Sequence, residues 1–143
     1  MATETFDPNR NSFAACVERI AVATERVGFS PDRKRIITSR DEGVPDVEKA
    51  LEVDNVPDGF RKWQLPFYVD HPTHMFVTVA EPGAEAPAHS HKDGDGVRFI
   101  AGGSIVYDGK ELSAGDWMYI PSGAEYSFTA GRFGAIMCYC YAC

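Results

Sequence analysis

From about Arg61 onward the chain is cut into short apolar runs by turn-forming residues, and this punctuation limits its fold more than any other feature. The runs are Trp63 to Val69, Met75 to Ala80, Val97 to Ala101, Ser104 to Tyr107, Trp117 to Ile120, Tyr126 to Thr129 and Gly134 to Tyr141. Between them lie Glu81-Pro82-Gly83, Asp93-Gly94-Asp95-Gly96, Asp108-Gly109, Ala114-Gly115-Asp116 and Pro121-Ser122-Gly123. Asp108-Gly109, between Val106 and Leu112, predicts a hairpin, because the favoured two-residue turn needs positive φ at both central positions. Strands recurring about every ten residues with no long helix between them predict an antiparallel barrel or sandwich.

Before residue 60 the pattern is helical. Phe13, Cys16, Val17, Ile20 and Ala23 follow the spacing of an amphipathic helix over Asn11 to Val27, with Asn11 or Ser12 as cap and Gly28 as stop. A second short helix is expected at Val47 to Glu52, after Pro45 and Asp46. The expected division is therefore an extension over 1–60, with one or two short helices, and a β-barrel over 61–143. With 143 residues the chain is long enough for one domain with a real core.

The 14 Lys and Arg residues against 21 Asp and Glu leave a formal net charge of -7. Binding to a phosphate backbone draws on clustered cations, so no nucleic-acid partner is expected, and Arg33-Lys34-Arg35 reads as a solvated face. No apolar stretch is long enough to span a bilayer, so no membrane partner is expected either. The first ten residues have an early acid and no apolar segment of the secretory type, which makes a cytoplasmic location the expectation. Cys138, Cys140 and Cys143 crowd the last residues, with Cys16 far away, which is not a spaced disulfide framework. Cys138 and Cys140, two apart, share one face of a strand and read as small packing residues.

His89-Ser90-His91 carries the chemistry. Two His at i and i+2 on a strand project to one face, where both imidazoles can reach one metal ion. Gly83 precedes His89 by five intervening residues, Asp95 follows His91 after three, and Gly102 follows Asp95 after six. Further on, Gly115, Pro121 and Gly123 repeat a second fixed spacing, with Tyr126 and Ala130 after it. In these residues the chain resembles the cupin family, whose first motif is G-x5-H-x-H-x3,4-E-x6-G and whose second is G-x5-P-x-G-x2-H-x3-N. Asp95 stands where the family has Glu, Tyr126 where it has its third His, and Ala130 where it has Asn. The resemblance covers about residues 61 to 141. It implies an all-β, double-stranded β-helix or jelly-roll cupin barrel.

The resemblance further implies a divalent metal ion (iron, manganese, nickel or zinc) on His89, His91 and Asp95, a set with open positions. Asp93 is the competing carboxylate, and Asp95 is preferred because its spacing fits the motif. A phenol with an ordinary pKa near 10 is a poor ligand at neutral pH, so Tyr126 is expected to orient the substrate or exchange its proton. Phe99 and Phe128 are expected to line a substrate pocket, and His74, sharing a face with Phe76 and Thr78, to point into it. His71 is expected at the surface. The functional expectation is a small metal-dependent enzyme of dioxygenase, lyase, isomerase or cyclase type acting on a small organic molecule. The alternative is a non-catalytic binding or sensor cupin with a degenerate site. A homodimer is also expected, from the resemblance and from a sheet edge that would otherwise stay open.

Overall fold

The structure, a computed structural model, describes residues 11–92 and 94–142. The N-terminal stretch read for a leader, the candidate ligand Asp93 and Cys143 lie outside the described residues. In chain order the elements are α1 (Phe13–Val27), β1 (Ile37–Thr38), α2 (Val44–Ala50), β2 (Glu52–Val53) and β3 (Lys62–Trp63). They continue with β4 (Thr73–Ala80), β5 (Glu85–His89), β6 (Gly96–Tyr107), β7 (Lys110–Ser113), β8 (Trp117–Ile120) and β9 (Tyr126–Ala142). They group into two compact units. One takes the chain up to Pro31 with Glu42–Tyr68, and the other takes Asp32–Asp41 with the chain from Val69 onward. Among the described residues no helix is long and apolar enough to cross a membrane.

In the first unit α1 begins where Ser12 accepts a hydrogen bond from the Ala15 amide at 3.2 Å, and it ends at Gly28 with φ +77. A left-handed C-terminal residue is a conformation that glycine adopts without a Cβ clash. Helix α2 starts three residues before the predicted point, because Pro45 sits in its first turn, where the missing N–H is no loss. Ile20 and Ala23 of α1 pack with Val47 and Leu51. The run from Trp63 to Val69 yields only the two-residue strand β3, paired with β2. Pro66 interrupts the rest of that run, where a ladder would need an amide donor.

In the second unit two long strands organise everything else. β6 and β9 pair antiparallel along most of their length. β9 takes β5 beside its first half and β4 beside its second, while β6 takes β8 at one end and β7 at the other. The runs read as separate strands on either side of Gly102 and across Ala130 to Gly134 are thus continuous, with irregularities in place of turns. Gly103 and Gly134, with φ +65 and +75, face each other there. A Cβ on Gly103 would fall 2.0 Å from the Gly134 carbonyl oxygen, so this kink accepts glycine only. The predicted hairpin is present, with Asp108 at φ 48 and Gly109 at φ 71 between paired Tyr107 and Lys110. Alternation buries Arg98, Ile100, Met137 and Tyr139 on the inner face.

Segment 37–41, placed in the extension by the sequence, belongs with this sheet. Ile37 and Thr38 pair with Tyr119 and Met118. The buried Asp116 carboxylate holds the segment. It accepts from Ser39 Oγ at 2.8 Å, from Arg40 Nε at 3.0 Å and from the Ser113 amide at 2.9 Å. Burial alone would raise the Asp116 pKa, but the Ser113, Ser39 and Arg40 donors outweigh it and hold the carboxyl below its ordinary value. A depressed folded pKa means that the stabilisation is complete above the unfolded value near 3.9 and is lost as pH falls through the lower folded value. Asp116→Asn is expected to cost roughly 1–3 kcal/mol at neutral pH and to flatten the acid limb of the stability curve. Thermal melts of both proteins across the acid range check this, and parallel limbs would refute it.

Candidate functional site

His89 ends β5, and the sheet register sets it opposite Tyr126, the first residue of β9. Their ring centroids are 4.6 Å apart. His89 Nδ1 lies 2.7 Å from the Pro87 carbonyl, an acceptor, so that nitrogen carries a proton. His91 follows just past the strand, its backbone carbonyl taking a hydrogen bond from the Gly123 amide at 2.7 Å. Its Nε2 sits 3.2 Å from the Tyr126 hydroxyl. The two His and Tyr126 therefore come together as expected. The half-buried imidazoles border solvent, while Tyr126 is buried.

Arg98 is the member of the group that the sequence reading missed. It is only 6% exposed, on the inner face of β6 opposite Tyr139. Its guanidinium lies over two aromatic rings, 4.8 Å from the Phe128 centroid and 4.4 Å from that of Tyr139. One Nη donates to the Tyr126 oxygen at 3.2 Å and the other reaches only the Met137 sulfur at 3.8 Å. Nε has no hydrogen-bond partner, and among the described residues no carboxylate pairs with this cation. The available signal was a charged residue at an inward position of an apolar strand, an arrangement that burial penalises unless something compensates it.

The remaining expected residues divide. Phe128 is in the group, buried and stacked on Tyr126 with centroids 6.1 Å apart. Asp95 is not. Its Oδ2 accepts from the Tyr119 hydroxyl and its Oδ1 from the Ser122 amide, each at 2.8 Å. Phe99 does share its strand parity, but that parity is the outer face, where Phe99 pairs with Cys138 and is 41% exposed. The inner face belongs to Gly96, Arg98 and Ile100. His74 has the inward register, opposite Tyr141, yet it is exposed and its ring contact is with Phe76 at 6.5 Å. His71 is exposed beside Asp70. Cys138 and Cys140 lie on the outer face of β9, away from the site, and carry no disulfide.

A divalent cation fits this group poorly. Among the described residues no three His, Cys, Asp or Glu side chains are placed to hold a metal ion. Beside the imidazoles lies the Arg98 cation, one of whose donors occupies the Tyr126 oxygen. Burial, followed by the positive fields of His89 and Arg98, lowers the His91 pKa below its ordinary value, so the ring is neutral at pH 7. Burial also pushes the Tyr139 phenol well above its ordinary value, and the nearby Tyr126 hydroxyl adds to this.

The chain matches no protein-family model, and no curated protein is similar to it. Among solved structures, 61 chains are similar. An RmlC-like cupin from Shewanella frigidimarina is 24% identical over 50% of this chain and 66% of its own, with a TM-score of 0.43. A protein with a double-stranded β-helix domain from Klebsiella pneumoniae is 23% identical over 52% and 70%, with a TM-score of 0.46. A cupin protein from Bacteroides fragilis is 28% identical over 54% and 67%, with a TM-score of 0.41. The strand order, the motif glycines and the register make the fold an all-β double-stranded β-helix, with a helix near the N-terminus, and the chain resembles the cupins.

Because protonation of His91 is disfavoured in the folded state, its contribution to stability is complete above about pH 6.5 and declines as pH falls below that value. Arg98→Met removes one of the cations responsible, and the His91 pKa is expected to rise toward the ordinary value. Titration of the imidazole proton signals by NMR measures this. An unchanged pKa would mean that burial and His89 alone set it.

Proposed function

We propose that the inner face is a small-molecule site in which Tyr126 and His91 exchange a proton with an organic substrate, in chemistry of lyase or isomerase type. The observation that carries this reading is the directed chain from Arg98 to Tyr126 to His91, each step 3.2 Å long. Arg98 has donors only, so the Tyr126 oxygen accepts from it and the hydroxyl hydrogen turns to His91 Nε2. A neutral His91 is the acceptor that such a proton needs, and the guanidinium then stabilises the phenolate left behind. Tyr126 can thus take a proton from substrate after passing its own to His91, and return it in the reverse step. Phe128 and Tyr139 limit water around the phenol, while His89, His91 and Tyr141 are half-buried at its border. The metal-centred reading rests on the family resemblance, and the charge of Arg98 opposes it.

The test is deuterium exchange from heavy water into carbon-bound positions of a panel of small carbonyl compounds and carboxylic acids. Wild type is expected to exchange at least one of them, and Tyr126→Phe to slow that exchange by about 10²- to 10⁴-fold. Exchange by neither protein, with the same compounds still shifting the His91 signals, would reduce the site to a binding module.

We also propose that the chain pairs with a second copy through β4. This edge strand has no charged residue from Thr73 to Ala80, although monomeric proteins usually guard such an edge with charge. Met75, Val77 and Val79 are 72%, 68% and 74% exposed, and their outer face continues through Ile136, Cys138 and Cys140 of β9. Chains of net charge -7 repel each other except at an uncharged contact. A two-fold axis at Val77 would set Met75 opposite Val79 of the copy and extend one sheet across both. Light scattering is expected to give a dimer at micromolar concentration and a monomer for Val77→Lys. A monomeric wild type would overturn this.

A further inference from the structure

We infer that the site takes an anionic ligand, a small carboxylic acid with a flat unsaturated or aromatic body, whose carboxylate is received by Arg98. This rests on the reading of the same face as a small-molecule site and specifies its substrate class. A guanidinium carries five N–H donors and a permanent charge. Of these, one meets a phenol oxygen, another a thioether, and Nε meets nothing. Cation–π contact with Phe128 and Tyr139 offsets part of the desolvation, but it supplies neither hydrogen-bond acceptors nor an opposite charge. A buried cation with unspent donors and, among the described residues, no carboxylate beside it is complementary to an anion.

The shape of the surroundings selects the anion. Phe128 and Tyr139 stand 4.8 and 4.4 Å from the guanidinium centre, so rings form the walls beside the cation. A planar carboxylate meets two donors of the fork at once and matches one cation with one charge, whereas a phosphate would bring more charge and more polar oxygens into a buried apolar surrounding. Beyond the guanidinium, Tyr139 and Tyr141 stack with centroids 5.3 Å apart, and His91 lies 5.3 Å from Tyr139. These flat surfaces suit a flat apolar body and leave the carbon next to the carboxylate within reach of Tyr126.

Benzoate, benzamide and inorganic phosphate are the probes, with binding followed through the His89 and His91 ring signals and by calorimetry at neutral pH. Wild type is expected to bind benzoate about tenfold or more tighter than benzamide, and phosphate more weakly than benzoate. Arg98→Met, which replaces an isolated buried charge by an apolar chain of similar length, should fold, melt no lower than wild type and lose the preference for benzoate. Arg98→Lys, which keeps the charge without the fork, should retain only part of it. Equal binding of benzoate and benzamide at the His signals overturns the anion assignment while leaving the small-molecule reading intact. Tighter binding of phosphate overturns the carboxylate assignment. If no probe moves the His signals, both readings fall.

Discussion

The antiparallel pairing of β6 with β9 is the constraint on which the sheet and the site depend. Strand pairing sets opposite residues on one face, so the match of Arg98 with Tyr139 and of Ile100 with Met137 decides what is inside. A slip of one residue would exchange Arg98 for Phe99 and bring Cys138 in place of Tyr139. The glycine contact of Gly103 with Gly134 pins that register, since a side chain at either position would strike backbone. The same β9 pairs with β5 and so brings His89 against Tyr126. One long strand thereby supplies the phenol, the ring beneath it and the aromatic cover of the cation.

The motif residues act as a clamp between two loops. Asp95 binds the Ser122 amide, Ser122 Oγ binds the Lys92 carbonyl, and the Gly123 amide binds the carbonyl of His91. The turn at Pro121-Ser122-Gly123 thus holds the segment that carries His91. With both oxygens engaged and Tyr119 as one of its partners, Asp95 is a fastening between β6, β8 and this turn. The Tyr119 phenol, raised to about 12 by burial and by Asp95, remains protonated as that donor. The carboxylate that the family pattern assigns to a metal has in this chain a structural employment.

Much of the fold was legible because turns leave local signatures. Ser12, Gly28 and Asp108-Gly109 each act within a few residues of themselves, and each does in the structure what its chemistry predicts. The continuity of β6 and β9 was not legible, since Gly102-Gly103 and Gly131 to Gly134 look the same whether a strand kinks or ends. The site was half legible. His89, His91, Tyr126 and Phe128 were recoverable from spacing, but Asp95 and Phe99 depend on where strand parity begins after Gly94 and Gly96. That choice is made by pairing with Met118 and Tyr139, far away in sequence. Arg98 escaped because local pattern cannot tell a buried Arg from one at the surface.

The unpaired cation is where stability and function meet. A chain selected for stability alone would place Met or Leu at position 98, since removing an isolated buried charge removes its desolvation cost. Here the charge is buried against Phe128 and Tyr139, with donors unspent. The cost is carried by the free protein and recovered when an acceptor arrives, so a ligand gains more from this cation than from one at the surface. That field also reaches the neighbouring groups. It adds to the burial and the His89 field that lower the His91 pKa, and gives Tyr126 a partner for a developing negative charge. A single residue at an inward position thus joins the binding of a substrate to the proton chemistry beside it.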